Sequence, residues 1–175
     1  MRLFIGIDLP VEIKSEIFKS LEPLMLSSKG WENAHDYHQT LLFIGATEHG
    51  IVAEIKNRMD EIHFEPFDLE TSGISFFNRR IMYVDFIPSD KLNQLKDEID
   101  ARFPEYIRPE EKEFVPHITV KRWQRYEYEH LSEGILKHGL PAIKFEVNSL
   151  CLFKSERDQN NFKYHVIHQT SFHKI

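Results

Sequence analysis

Two short words in this chain can do acid–base chemistry as a pair. His38-Gln39-Thr40 and His117-Ile118-Thr119 each set an imidazole and a hydroxyl two residues apart. On a β-strand, residues i and i+2 share a face, roughly 6–7 Å apart. Two such strands facing one groove would bring together two imidazoles and two hydroxyls. That set suits displacement at a phosphodiester, where the attacking and leaving oxygens lie on opposite sides of phosphorus. One imidazole takes a proton from water and the other gives one to the leaving oxygen. An unperturbed pKa of about 6.5 lets one ring be neutral and the other protonated near neutral pH. The hydroxyls of Thr40 and Thr119 would hold the non-bridging oxygens. The scheme needs no metal and no cofactor. A third word, His168-Gln169-Thr170, lies near the end of a late strand and reads as a coincidence.

Other chemistries find less support. There is no His-x-His or His-Glu-x-x-His for zinc, and His165 and His168 are three apart, on opposite faces of a strand. The glycine-bearing stretch "FIGATEHG" lacks the Lys-Ser/Thr of a phosphate loop, and no Gly-x-Ser-x-Gly elbow occurs. Cys151 is the only cysteine, so no internal disulfide forms. The basic cluster Lys121, Arg122, Arg125 reads on charge alone as a solvated strand edge or turn.

The elements that must position the two words can be read from periodicity. "RLFIGIDL" and "HQTLLFIG" are strands, with a helix from Val11 to about Met25 between them. "GIVAEIKNRMDEIHF" is a helix, and "FDLETSGISFF" and "RRIMYVDFI" a hairpin turning near Asn78-Arg79. Ser89 caps a helix whose Leu92, Leu95 and Ile99 share a face. "HITVKRW" is a strand, "EYEHLSEGILKH" a helix, and "AIKFEVNSLCLFKS" with "NFKYHVIHQTSF" a last hairpin around "ERDQNN". His38 stands 29 residues before Phe67, and His117 stands 28 before Phe145. The chain thus reads as one strand–helix–hairpin unit used twice, with an equivalent histidine in each.

The 175 residues fit one domain, 1–175, with an aromatic core drawn from 14 Phe and 6 Tyr. The net charge of −6 disfavours a protein that coats long nucleic acid, but not one holding a small anion by local groups. The opening apolar run meets Asp8 and Pro10 at once, too short for a membrane span and wrong for a signal peptide. A monomeric cytoplasmic protein is expected, with no membrane and no obligate protein partner.

Taken together, "MRLFIGIDLP", Trp31 with six residues between it and "HQTLLFIG", and "FVPHITVKR" resemble the 2H phosphoesterase superfamily. The likeness is to its RNA 2′,3′-cyclic phosphodiesterases, the LigT-like group once called 2′-5′ RNA ligases. The resemblance implies an α+β, bilobal fold of two pseudo-twofold-related lobes, with antiparallel sheets lining a central groove and helices outside. It implies metal-independent opening of 2′,3′-cyclic phosphates on RNA 3′ ends or nucleotides to leave a 2′-phosphate. His38 would be the acid and His117 the base, with Thr40 and Thr119 on the phosphate and Arg122 binding phosphate or RNA backbone. A 2H hydrolase of another phosphoester (a 2′-5′ linkage or ADP-ribose cyclic phosphate) and a non-catalytic RNA- or nucleotide-binding module are the alternatives. Gln39 and Ile118 take the variable middle position, facing away from the groove. Gly30 stands where a basic residue often precedes the tryptophan, and Lys121 where a small residue is usual. Phe43 and Trp123 read as core.

Overall fold

A computed structural model of the protein describes residues 1–25, 29–108, 113–123, 125–158 and 161–174. Strand β1 (Arg2–Asp8) leads through helix α1 (Val11–Met25) into β2 (His38–Ala46), which opens on the first His-x-Thr word. Helix α2 (His49–Asp60) follows, then the hairpin β3 (Phe67–Phe77) and β4 (Ile81–Phe86). Asn78 and Arg79 take positive φ at its turn, which asparagine tolerates better than most residues. Helix α3 (Asp90–Arg102) is capped by Ser89, whose side chain accepts from the Leu92 N–H. Strand β5 (His117–Arg122) opens on the second word and runs to α4 (Arg125–His138). The chain closes with β6 (Lys144–Val147), β7 (Ser149–Asp158) and β8 (Asn161–Ser171).

These strands form an antiparallel sheet in the order β6-β3-β4-β5-β2-β1-β7-β8. Two four-stranded halves meet where β2 faces β5, at the register pair Gln39↔Ile118. The bilobal α+β fold expected from the sequence is thus present, with the two His-x-Thr strands side by side at the seam.

The repeat needs correction in its detail. "AIKFEVNSLCLFKS" is not one strand: Asn148 divides it, β6 pairing with β3 in one lobe and β7 with β1 in the other. Those partners lie toward opposite ends of the strand order, so one straight strand could not serve both. With one residue between β6 and β7, the two ends of the sheet approach within about 7 Å there, and the sheet must curl. The equivalence of the hairpins also shifts. Strand β1 lies against β2 as β4 lies against β5, so strand–helix–His strand (β1-α1-β2 and β4-α3-β5) is what repeats in space. Asp8 faces His38 in register, and Asp85 faces His117.

Helices cover one face of the sheet. Ile17 and Leu21 of α1, Ile55 and Met59 of α2, the Leu92-Leu95-Ile99 stripe of α3 and Ile135 of α4 enter one apolar cluster spanning both lobes. Helix α2 stops at Asp60, four residues short of the expected end, and Ile62 packs into the core beyond it. A smaller cluster of Phe4, Cys151 and Phe153 lies apart, with Tyr164 against it. Burial pushes the Cys151 thiol up to about 11 and keeps it protonated. Among the described residues no helix is long and apolar enough to cross a membrane.

Candidate active site

Both His-x-Thr words open onto a single cleft of about 420 Å³, lined by His38, Thr40, His117 and Thr119. Arg122 lines the same cleft. The five residues singled out from sequence are therefore neighbours in space. His168 is elsewhere. Its Nε2 lies 2.7 Å from the Asp60 carboxylate, which also accepts from the Thr170 hydroxyl at 2.8 Å. The third word ties β8 to the end of α2.

The two catalytic candidates are held in the same way. The Nδ1 of His38 is 2.6 Å from the carbonyl of Asp36, and the Nδ1 of His117 is 2.8 Å from the carbonyl of Val115. A carbonyl only accepts, so each Nδ1 carries a proton and donates. That fixes the tautomer and leaves Nε2 as the atom that can take up or release a proton. Each ring thus bonds to the backbone two residues before itself.

The surroundings differ. His38 sits among Tyr164, Phe4 and Phe153, with ring centroids 4.6, 4.8 and 5.4 Å away. Burial lowers its pKa to about 4, and the nearby positive charges of Lys14, His117 and Arg122 add to the fall. His117 meets Phe77 and Tyr83 at 4.9 and 5.4 Å on the more open side. Its pKa is also lowered, again chiefly by burial. The anchor for His38 is itself secured. The Asp36 carboxylate accepts from the Tyr164 N–H at 3.3 Å, and Lys14 joins Asp8 at 2.6 Å to the His35 carbonyl at 2.8 Å.

A bulge follows each word and decides what faces the cleft. Along β1–β2 the register passes from Gly6↔Thr40 to Ile5↔Leu42, leaving Leu41 over. Along β4–β5 it passes from Tyr83↔Thr119 to Met82↔Lys121, leaving Val120 over. An extra residue reverses the alternation beyond it. Leu41 and Leu42 are both buried and Phe43 turns out, 52% exposed at the cleft. Val120 and Lys121 are both buried and Arg122 turns out. Phe43 and Arg122 are thus the same position of the two lobes, five residues after each histidine.

The bulge corrects two expectations. Phe43 is not core, whereas Trp123 is, stacked on Phe76 at 5.6 Å. Lys121 is not on a solvated edge: its ammonium is buried 5.0 Å from the Trp31 ring and 5.4 Å from Trp123, and donates to the Lys29 carbonyl. The Arg125 side chain lies outside the described residues. Gly30 also has a structural reason. At φ +86° it pairs with the end of β5, and a Cβ there would stand 2.0 Å from the Arg122 carbonyl oxygen. No other residue fits without moving that strand.

Arg122 is braced rather than loose, its Nε 2.9 Å from Glu32. Burial raises the Glu32 pKa, and Arg122 opposes that rise. Sequence reasoning missed Glu32, Asp36 and Tyr164 and the cleft arginines Arg2 and Arg108. Asp36 stands two residues before His38; the others arrive from separate strands and loops, with no spacing that joins them to the histidines.

The profile of the 2′-5′ RNA ligase superfamily matches residues 14–159. The chain belongs to this superfamily. It is 28% identical to the RNA 2′,3′-cyclic phosphodiesterase of Thermotoga maritima, over 98% of this chain and 96% of that one. It is also 28% identical to the protein of the same name from Methanocaldococcus jannaschii, over 95% and 98% of the two chains. Among solved structures it superposes on Escherichia coli LigT in its apo form with a TM-score of 0.79, at 20% identity over 99% and 98% of the chains. That likeness establishes a shared fold for this superfamily member.

Proposed function

We propose that the protein hydrolyses 2′,3′-cyclic phosphates on RNA 3′ ends or nucleotides, with His38 and His117 as the acid–base pair. The observation that carries this reading is the matched anchoring of both imidazoles. Each Nδ1 is satisfied by a backbone carbonyl, and each Nε2 is left for chemistry on one cleft. The curated relatives of the same superfamily, matched over nearly the whole chain, support the substrate class.

Water attacks phosphorus in line with the bond to O3′. His117 Nε2 takes a proton from that water as the new P–O bond forms. The P–O3′ bond breaks, and His38 Nε2 delivers its proton to O3′. The products are a 2′-phosphate and a free 3′-hydroxyl. Thr40 and Thr119 donate to the non-bridging oxygens, and Arg122 offers its guanidinium to the phosphate. The aromatic cage keeps His38 neutral in the empty cleft. A bound phosphodiester anion opposes that depression, since a negative charge beside an imidazole favours its protonated form. Substrate binding therefore arms the acid.

The test is incubation with 2′,3′-cyclic nucleotides in the presence of EDTA, with products identified by phosphorus NMR. Conversion to the 2′-phosphate is expected. Binding without turnover would replace the enzyme reading with that of a nucleotide-binding module, and loss of turnover on chelation would overturn the metal-free scheme.

A further inference from the structure

We infer that a basic groove leaving the cleft across β1 and β7 binds the RNA strand 5′ of the cyclic phosphate, which makes oligonucleotides the preferred substrates. This rests on the function proposed above.

The groove is open, about 690 Å³, and shares Arg2 and Ser155 with the cleft, so the two are continuous. Arg2, Lys154, Arg157 and Lys163 line it, with Glu156 the acidic residue among its described lining. Glu156 lies against both Lys154 and His165, and the described lining carries four basic side chains to this one acidic one. This cationic strip stands out on a chain with 28 acidic and 22 basic residues. Strand geometry explains its direction. Phe4 and Arg2 share a face of β1, and Ser155 and Arg157 continue the Phe153 face of β7, whereas Lys154, Glu156 and Lys163 stand on the opposite face, so the groove draws its lining from both faces at the Met1 end of β1. Arg157 stands 5.9 Å from the ring of Phe162, which itself lines the cleft. In register, Asp8 lies opposite His38 and Arg2 opposite Ala46. Six residues of strand separate them, roughly 20 Å, or a few nucleotides.

The chemistry of the substrate fixes which end of the RNA can enter. A 2′,3′-cyclic phosphate closes the 3′ end, so every further phosphate lies on its 5′ side. A strand with its last phosphate between the histidines must leave by some route, and a cationic groove continuous with the cleft matches its charge. Phe43 and Phe162 at the cleft offer ring faces for the last base before the groove begins.

The experiment compares a 2′,3′-cyclic mononucleotide with an oligoribonucleotide of about five residues bearing the same end, in the native protein and in the Arg157→Ala/Lys163→Ala double variant. The native protein should favour the oligonucleotide by about tenfold or more in kcat/KM, an advantage that shrinks between about 50 mM and about 200 mM salt. The double variant should keep its rate on the mononucleotide and lose most of that advantage. The slope of log K against log salt for the oligonucleotide should fall by roughly 1.4. Equal kcat/KM on both substrates, or an unchanged oligonucleotide rate in the variant, overturns the groove and leaves the hydrolase standing. If the native protein turns over neither substrate, the hydrolase falls. Oligonucleotide binding then decides the groove, with equal affinity in native and variant proteins overturning it.

Discussion

The side chain of Gln39, on β2, accepts a hydrogen bond from the backbone N–H of His117, on β5. Its amide nitrogen donates to the Thr40 carbonyl at 2.6 Å, and the residue is fully buried. One His-x-Thr word thus holds the backbone of the other across the seam, where Gln39↔Ile118 is the register pair. The middle position of the first word does face away from the cleft. It is nonetheless a direct tie between the two strands that carry the imidazoles. Gln39→Leu keeps the bulk and strands a buried N–H, at a cost of about 1–3 kcal/mol. Urea unfolding should register that loss, and kcat should fall more than KM rises, because the rings move relative to one another while the phosphate-binding groups remain. A variant with lowered stability and unchanged kcat would reduce Gln39 to a packing residue.

Removal of either cleft imidazole tests the pairing directly. His38→Gln and His117→Gln should each lower kcat on a cyclic nucleotide by about 10²- to 10⁴-fold while circular dichroism stays native. His168→Gln is the control, since His168 pairs with the half-exposed Asp60 at the end of α2 and neither lines the cleft. It should keep full activity and shift stability by less than about 1 kcal/mol. Activity lost in the His168 variant and retained in the His117 variant would refute the assignment.

Gly30 gives a backbone test at some remove from the chemistry. Gly30→Ala places a Cβ where the Arg122 carbonyl already sits, at a φ that L-residues rarely adopt. The strain should cost about 1–3 kcal/mol or displace the end of β5. Displacement carries Arg122 away from Glu32, so KM for a cyclic phosphate should rise while the proton-transfer step is spared. A variant with native Tm and native KM would show that the turn can give way freely.

Much of this site was legible in the sequence because it obeys period two. His38 with Thr40, and His117 with Thr119, share a face by strand geometry alone, and their equivalent placement flagged a pair. What lay beyond each threonine was not legible. The bulges at Leu41 and Val120 reverse the alternation, so Phe43 was read as core and Lys121 as solvated, each on the wrong face. A bulge is set by the partner strand's register, which no local pattern carries. Asn148 failed the reading for a related reason: "EVNSLCL" is a good strand locally, and only the remote partners β3 and β1 divide it. The His-x-Thr spacing and the carbonyl two residues before each histidine are local; the aromatic cage of His38 and the tie from Gln39 were supplied by tertiary structure.

The pH response should carry the imprint of the cage. Both imidazole pKa values lie below the ordinary histidine value in the empty cleft, His38 at about 4. The kcat/KM profile, which reports the free enzyme, should therefore be a bell centred on the acid side of 6.5, with one limb near pH 4. The kcat profile reports the substrate complex, where the phosphodiester anion raises both rings, and should lie at higher pH. Stability has its own sign. Between the depressed folded value of His38 and the unfolded value of about 6.5, the unfolded chain binds the proton that the native ring refuses. Stability is then present above pH 6.5 and is lost as pH falls toward 4, by up to about 3 kcal/mol from this ring. His38→Phe removes the titrating group and should flatten that part of the curve, as read by chemical unfolding at stepped pH. An equal slope in the Phe variant would mean that other groups, not the caged imidazole, drive the acid loss.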